Sequence, residues 1–375
     1  MAKKWENILF WGRTKIMGIL RKKQVGNKKI LCVGCIEVPY DIEKIDNDCI
    51  LKIGNFTIPY SFYEVDEEKY LKVFGISFNI NNLFYNRKQE HYKKRNQLSD
   101  EVCKQILQKE LTDNLGYTPN IDDPKTFNEK ILWSKFNDHN PLITKCCDKY
   151  AVKNYVSKVI GEQYVLPVLG VWNSPNEIDF NKLPNKFALK VNWSSGYNII
   201  VKDKLKLDFA KTKKKLLKWI QPERNSYYDT FNWGYKNMKP VIYAEPYIEQ
   251  IDGQLYDYKF FICNGKFEFL FIATDRLDGK LTYTFFDNEF QHIPCRYGHK
   301  DNANPLPLKP RHYDEMITLA EKLAKPFNFV RVDFYETDDN KFYVGEMTFY
   351  SGGGTLPFEP QEWDYNLGRK IVIEG

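Results

Sequence analysis

The sequence predicts an α+β protein in two parts. A small strand-rich domain of unassigned role is expected over residues 1–95. A larger mixed domain is expected over 96–375, with 185–240 as a mobile, lid-like subdomain. Three observations point there. Residues 25–85 alternate short apolar runs (29–38, 49–53, 56–60, 73–80) with polar turns, the pattern of short strands. Between 99 and 160, and again at 312–325, apolar residues recur at helical spacing behind capping signals. At 256–274 and 329–350, β-forming runs flank turn residues, as in hairpins.

Taken in order, 86–98 is polar and basic (N-R-K-Q-E-H-Y-K-K-R-N-Q-L) and is expected to be a linker. Ser99 caps a helix through Leu111. Thr126-Phe-Asn-Glu129 is a capping box, in which Thr accepts from the third residue's N–H and Glu reaches back. Asn140-Pro141 starts a helix whose apolar positions Ile143, Cys147, Tyr150, Ala151, Tyr155 and Val159 continue to Gly161, with Asp148 and Lys149 inside it. A strand interrupted by Pro167 is expected at 164–171. Strands at 186–192 and 198–202 flank Trp193-Ser194-Ser195-Gly196-Tyr197. Lys190 precedes that loop, where hydroxyls and backbone N–H groups suit a phosphate; an exposed hairpin is the alternative. Residues 204–221 form a Lys-rich helix whose charged side is a solvated face. An aromatic loop follows at 222–240, and then a strand at 241–249 carrying Glu245. Asn264-Gly265 closes the clearest hairpin, with Asp257 and Lys259 on one face. Residues 280–310 are irregular, and 312–325 form a helix.

The final hairpin holds two carboxylates. A two-residue loop at Asp339-Asn340 sets Asp333 opposite Glu346; a four-residue loop sets Glu346 opposite Arg331. Either way Arg331, Asp333 and Glu346 share a face, because strand side chains alternate. Phe329, Tyr335, Phe342 and Val344 are expected there too. Facing carboxylates about 5 Å apart repel, and a divalent cation such as Mg²⁺ would offset this.

Composition narrows the class. The chain has 375 residues, 43% hydrophobic and 28% charged, so it is globular rather than disordered. The net charge of +6 suits anionic substrates, and no dense Arg/Lys stripe argues for nucleic acid. Eight Cys are scattered. Cys32-Val-Gly-Cys35 has no second pair at zinc spacing, and Cys146-Cys147 lies in a helical pattern. A reducing, cytoplasmic setting follows. No apolar run of about 18 residues is present. Trp5, Ile8, Leu9, Ile16, Ile19 and Leu20 fall near helical spacing among basic residues, which allows weak contact with the inner face of a membrane. No internal repeat is expected, and oligomeric state is not legible.

The motifs form a recognisable order. P-K-T-F-N-E-K-I (124–131), D-K-Y-A-V-K (148–153), D-Y-K-F-F (257–261), F-V-R-V-D-F-Y (329–335), G-E-M-T-F-Y (345–350) and F-E-P-Q-E-W-D-Y (358–365) resemble the TupA-like branch of the ATP-grasp superfamily, named for a teichuronopeptide biosynthesis protein. The resemblance covers roughly 96 to 370. It implies two β-rich lobes enclosing ATP. Lys149 and Lys190 would meet the α- and β-phosphates and the adenine side, and Ser194, Ser195 and Gly196 would close over the phosphates. Backbone near Glu245 and Ile248 would hold the adenine edge, with Glu245 or Asp257 on the ribose. Asp333 and Glu346 would bind Mg²⁺. Thr348 stands where the superfamily often has Asn as a further ligand. Arg331 would stabilise the transferring phosphoryl group, with Lys259 and Arg276 as further partners. The loop 192–196 reads N-W-S-S-G, where relatives tend to read N-H-G-S-G.

The resemblance implies an ATP- and Mg²⁺-dependent carboxylate–amine ligase acting through an acyl phosphate. Its substrates would be a uronic acid or amino acid and an amine, in capsular or other surface-polysaccharide biosynthesis. The alternatives are a kinase-like transfer to a sugar hydroxyl and a non-catalytic, glycosyltransferase-associated module.

Overall fold

The computed structural model describes the strands between Leu20 and Asn79 as backbone. It describes residues 89–375 except 194, 249–255, 275–280, 338 and 374–375. The chain divides into two compact units, Met1–Arg95 and Asn96–Gly375.

The first unit contains a seven-stranded antiparallel meander, ordered β1 (Leu20–Val25), β2 (Lys28–Val33), β3 (Ile36–Ile45), β4 (Asp48–Ile53), β5 (Phe56–Val65), β6 (Glu68–Val73) and β7 (Ile76–Asn79). The strands overturn the expectation of no internal repeat. β2, β4 and β6 begin at 28, 48 and 68, and β3, β5 and β7 at 36, 56 and 76, a constant spacing of twenty. The sequence carries the same period: Ile30-Leu31-x-Val33-Gly34-x-Ile36-x-Val38-Pro39-Tyr40 matches Ile50-Leu51-x-Ile53-Gly54-x-Phe56-x-Ile58-Pro59-Tyr60. Ile, Leu, Gly, Pro and Tyr recur unchanged, and the remaining named positions exchange only Ile, Val and Phe, all good strand formers.

The second unit begins with four helices: α1 (Asp100–Leu115), α2 (Phe127–Asn137), α3 (Pro141–Cys147) and α4 (Val152–Ile160). α1 runs past Leu111 to Leu115 and ends on left-handed Gly116. The capping box at Thr126 and Glu129 is present. The single helix expected from Asn140 to Gly161 is two, broken at 148–151. The Asp148 carboxylate accepts from Tyr150 N at 2.8 Å and Ala151 N at 2.9 Å, a side-chain-bonded turn that fills the break before α4.

Two larger antiparallel sheets follow. The four-stranded sheet is ordered β10 (Asn198–Val201), β9 (Phe187–Val191), β11 (Ile242–Pro246), β8 (Gly170–Trp172). β8 replaces the strand expected at 164–171, whose start is a 3-10 turn at Glu162–Tyr164. The Lys-rich helix α5 (Phe209–Trp219) and the short α6 (Tyr227–Thr230) lie between β10 and β11 in the chain. The six-stranded sheet is ordered β15 (His292–Ile293), β14 (Thr282–Phe286), β13 (Lys266–Thr274), β12 (Asp257–Cys263), β17 (Phe329–Glu336), β18 (Phe342–Thr348). A two-stranded pair joins β16 (Arg296–Tyr297) to β19 (Phe358–Glu359), and α7 (Tyr313–Ala324) and α8 (Glu362–Lys370) complete the unit. One core runs through both larger sheets, with Phe260, Phe261, Leu270, Ile272, Val330 and Val332 wholly buried beside Leu189, Ile242 and Ala244.

Candidate active site

The final hairpin sets the geometry. Asp333 pairs with Glu346 and Arg331 with Thr348, but Phe334 pairs with Val344 and Glu336 with Phe342. The register shifts by one between Asp333 and Phe334, a β-bulge that leaves Gly345 unpaired. The turn is therefore neither the two- nor the four-residue loop expected. Phe342 and Val344 pair with Glu336 and Phe334, on the face opposite Arg331 and Asp333, so their expected place is corrected. Gly345 is required: a Cβ there would sit 2.6 Å from Tyr335 Cε1.

The neighbouring strand adds Lys259, which pairs with Asp333 in register, so Lys259, Asp333 and Glu346 stand in a row across three strands. Arg331 grips Asp333 with two hydrogen bonds, Nε to Oδ1 at 2.6 Å and Nη2 to Oδ2 at 2.7 Å. Its Nη2 also donates to Glu346 Oε1 at 3.1 Å and Thr348 Oγ1 at 3.0 Å. Lys259 donates to Asp333 and pairs with Asp257 at 2.9 Å. Lys149 Nζ lies 3.4 Å from Glu346 Oε2. Three cations thus face three carboxylates. Arg331, Lys259 and Lys149 offset the repulsion expected between Asp333 and Glu346. Burial pushes the Asp333 carboxyl up, only partly opposed by Arg331 and Lys259. Desolvation also acts on Glu346, but Lys149, Arg331 and Lys259 pull it well below the usual carboxylate range.

A second charged group lies on the four-stranded sheet. Glu245 is a diagonal neighbour of Lys190, because β11 pairs Tyr243 with Lys190 and Ala188 with Glu245. Lys190 Nζ is 2.5 Å from Glu245 Oε2, and Lys153, from the first turn of α4, pairs with Oε1. Burial pushes Glu245 up, and the two lysines more than reverse this, leaving it below its ordinary value. Lys149 is placed by backbone: its N–H donates to Asn192 O at 3.0 Å, and Asn192 Nδ2 donates to Asp148 Oδ2 at 2.7 Å. Wholly buried Asn192 thereby ties the turn at Asp148 to the loop after β9.

The structure thus brings Arg331, Lys259, Asp257, Asp333, Glu346, Thr348 and Lys149 into one cluster, and Lys190 with Glu245 into another. Ser195 and Gly196 are exposed, and Ile248 is half-buried. Ser194 and Arg276 lie outside the described residues. Trp193 is not part of an exposed loop: it is 2% exposed, with Nε1–H donating to Trp219 O at 3.1 Å. Lys153 and Asn192 were missed as functional candidates although both lie in quoted stretches; their signal was the four-residue step from Lys149 and the Asn opening N-W-S-S-G.

Beyond Thr348 the chain turns at Ser351–Gly354, where Gly352, Gly353 and Gly354 all have φ between 57° and 68°. Arg331 Nη1 donates to Ser351 Oγ at 3.4 Å, and the Tyr297 hydroxyl donates to Ser351 O at 3.1 Å. A cavity of about 330 Å³ opens elsewhere, between Asp113–Gly116 and Pro357–Asp364, and none of the charged clusters lines it.

Among the described residues no group of three or more His, Cys, Asp or Glu is shaped to hold a metal ion. Asp333, Glu346 and Thr348 nonetheless offer hard oxygen donors on one face. Mg²⁺ usually takes one or two carboxylates and completes its shell with phosphate oxygens and water, so these residues fit a magnesium ion brought with a polyphosphate.

The family model described as TupA-like ATP-grasp matches residues 129–372. No curated protein matches. Among solved structures, the ADP complex of an N5-carboxyaminoimidazole ribonucleotide synthetase is 12% identical, with 62% of this chain and 58% of that chain covered and a TM-score of 0.35. Biotin carboxylase from Campylobacter jejuni is 13% identical, with 61% and 47% covered and a TM-score of 0.34. N5-carboxyaminoimidazole synthetase from Staphylococcus aureus is 13% identical, with 54% and 44% covered and a TM-score of 0.31. The chain spans about half the length of these structures. The family model covers well over half of the chain, from the capping box of α2 to the residues after α8, and the chain belongs to the TupA-like ATP-grasp family.

Proposed function

We propose that the protein is an ATP- and Mg²⁺-dependent ligase that joins a carboxylate to an amine. The supporting observation is the row Lys259, Asp333, Glu346 with Arg331 across it: charges of both signs, held on rigid strands, beside Lys149. Phosphoryl transfer is catalysed chiefly by positioning and by neutralising charge, which this row is built to do.

In this reading Lys149, Lys190, Ser194, Ser195 and Gly196 bind the phosphates, backbone near Glu245 and Ile248 holds the base, and Glu245 or Asp257 meets the ribose. Asp333, Glu346 and Thr348 hold the magnesium ion. The ion, when bound, supplies positive charge to the β- and γ-phosphate oxygens. A substrate carboxylate oxygen attacks the γ-phosphorus, and the bond to the bridging oxygen breaks with its electron pair leaving on ADP. Arg331, released from Asp333, steadies the transferring group, with Lys259 and Arg276 as further partners. The amine then attacks the acyl carbon, phosphate leaves, and the amine proton passes to solvent. The turn of three left-handed glycines after Ser351, next to Arg331, is where we place the substrate carboxylate. The substrates we propose are a uronic acid or amino acid and a small amine, in the making of a surface polysaccharide by a cytoplasmic protein.

The test has two stages. Titration calorimetry with ATP and Mg²⁺ should show binding that Asp333→Asn and Glu346→Gln abolish; no binding would rule out an ATP-dependent enzyme. ADP release should then require a carboxylate and an amine together. Release with a sugar alcohol alone would replace the ligase reading with a kinase-like one.

A further inference from the structure

Glu245 is held by two lysines, and the nucleotide reading uses only one of them. The Glu245 side chain is 4% exposed, so its charge depends on what touches it. Lys190 approaches Oε2 from the strand that leads into the loop at 193–197. Its side chain is 28% exposed, and Oε2 makes no well-formed hydrogen bond despite the short ion pair. Lys153 is deeper, at 14% exposed, and is anchored twice: to Oε1 and, through a 3.0 Å hydrogen bond, to Leu166 O. Lys153 is therefore anchored twice, and Lys190, the more exposed of the two, is held by its ion pair with Oε2.

We propose that Lys153 is a positioning residue: a standing counter-ion that keeps Glu245 ionised when Lys190 leaves it for the phosphates of the nucleotide. The inference rests on the nucleotide reading above and goes beyond it, since that reading gives Lys153 no role. Without Lys153, moving Lys190 to a phosphate would strand a buried carboxylate with no partner, a strongly unfavourable state. Lys190 would then stay on Glu245, and nucleotide affinity would fall although every phosphate-binding side chain remained.

The test is a double-mutant cycle read by calorimetric titration of the full chain with ATP and Mg²⁺. Lys153→Met should weaken binding by at least about tenfold, and Lys153→Arg should restore it. In the Glu245→Gln background, where no charge needs holding, Lys153→Met should change affinity by less than about twofold. A merely structural lysine would cost the same in both backgrounds, so an equal loss overturns the proposal. So does unchanged affinity in Lys153→Met. Should Lys153→Met fail to fold, Lys153→Gln replaces it, since its amide still offers hydrogen bonds but no charge. Absence of binding by the unmutated chain would overturn the nucleotide reading and this inference together; binding by that chain and by Lys153→Met alike overturns only the inference.

Discussion

Lys135 offers a sharp test of how the second unit is packed. It lies on α2, 2% exposed, and its ammonium donates to Thr230 O at 3.0 Å. Burial alone draws its pKa from 10.5 down to about 7. At about 1.4 kcal/mol per factor of ten in proton affinity, that fall corresponds to about 5 kcal/mol for holding the charge inside the fold. Lys135→Met removes this cost but leaves the Thr230 carbonyl without its donor, a loss of about 1–3 kcal/mol. The variant should therefore be more stable than the parent at pH 7, by about 2 kcal/mol. Between pH 7 and 10.5 the unfolded chain binds the proton that the folded chain has shed. The parent's stability consequently rises with pH in that window, and the variant lacks this slope. By pH 9.5 the advantage should have shrunk by about 3 kcal/mol, whatever the hydrogen bond is worth, because that contribution is the same at both pH values. Urea denaturation of both chains at the two pH values measures this. A stability difference that does not change with pH would show that the ammonium is not desolvated and would refute the reasoning.

Other expectations follow from the site. Arg331→Gln leaves Asp333 and Glu346 facing each other with too little positive charge, and should destabilise the chain by about 3–5 kcal/mol at pH 7; melting at lower pH should show a smaller loss as one carboxylate takes up a proton. Gly345→Ala puts a methyl group 2.6 Å from the Tyr335 ring, and should cost about 1–3 kcal/mol and weaken nucleotide binding by displacing Glu346; melting curves and calorimetry report the two effects. Gly353→Ala and Gly354→Ala share the same backbone strain, with φ of 68° and 67°. Only at Gly354 does the new Cβ meet backbone, Asn128 O at 2.9 Å, so denaturation should find Gly354→Ala clearly the less stable of the two.

The site was legible in the sequence to the extent that strand alternation determines it. Arg331, Asp333 and Glu346 on one face, and Asp257 with Lys259 on the next strand, follow from a period of two. What alternation cannot supply is the bulge. Gly345 looks like any glycine before an acidic residue, and only the ring of Tyr335 in the place of its missing Cβ shows why it is there. The break at 148–151 was hidden in the same way. The apolar positions keep helical spacing across it, while the Asp148 side chain, which competes for the backbone N–H groups, leaves no mark on hydropathy. Lys153 escaped because a lysine on a helix is ordinarily solvated, and its burial is decided by a strand almost a hundred residues later.

These irregularities share one consequence. The first unit repeats a single strand register every twenty residues, so whatever one repeat presents the next presents again. A catalytic centre needs the opposite: single groups, each in a place that nothing else in the chain reproduces. In the second unit the regular strands carry Lys190, Glu245, Lys259 and Arg331, and other candidate groups lie where regular structure fails. Lys149 lies in the helix break that the Asp148 carboxylate turns. Asp333 and Glu346 flank the bulge at Gly345. Ser351 opens a turn with three successive left-handed glycines. Each departure re-aims a side chain or frees a backbone N–H that continued helix or strand would have used. The proposed chemistry therefore draws on single groups of the aperiodic unit, set by the break at 148–151, the bulge at Gly345 and the turn at Ser351.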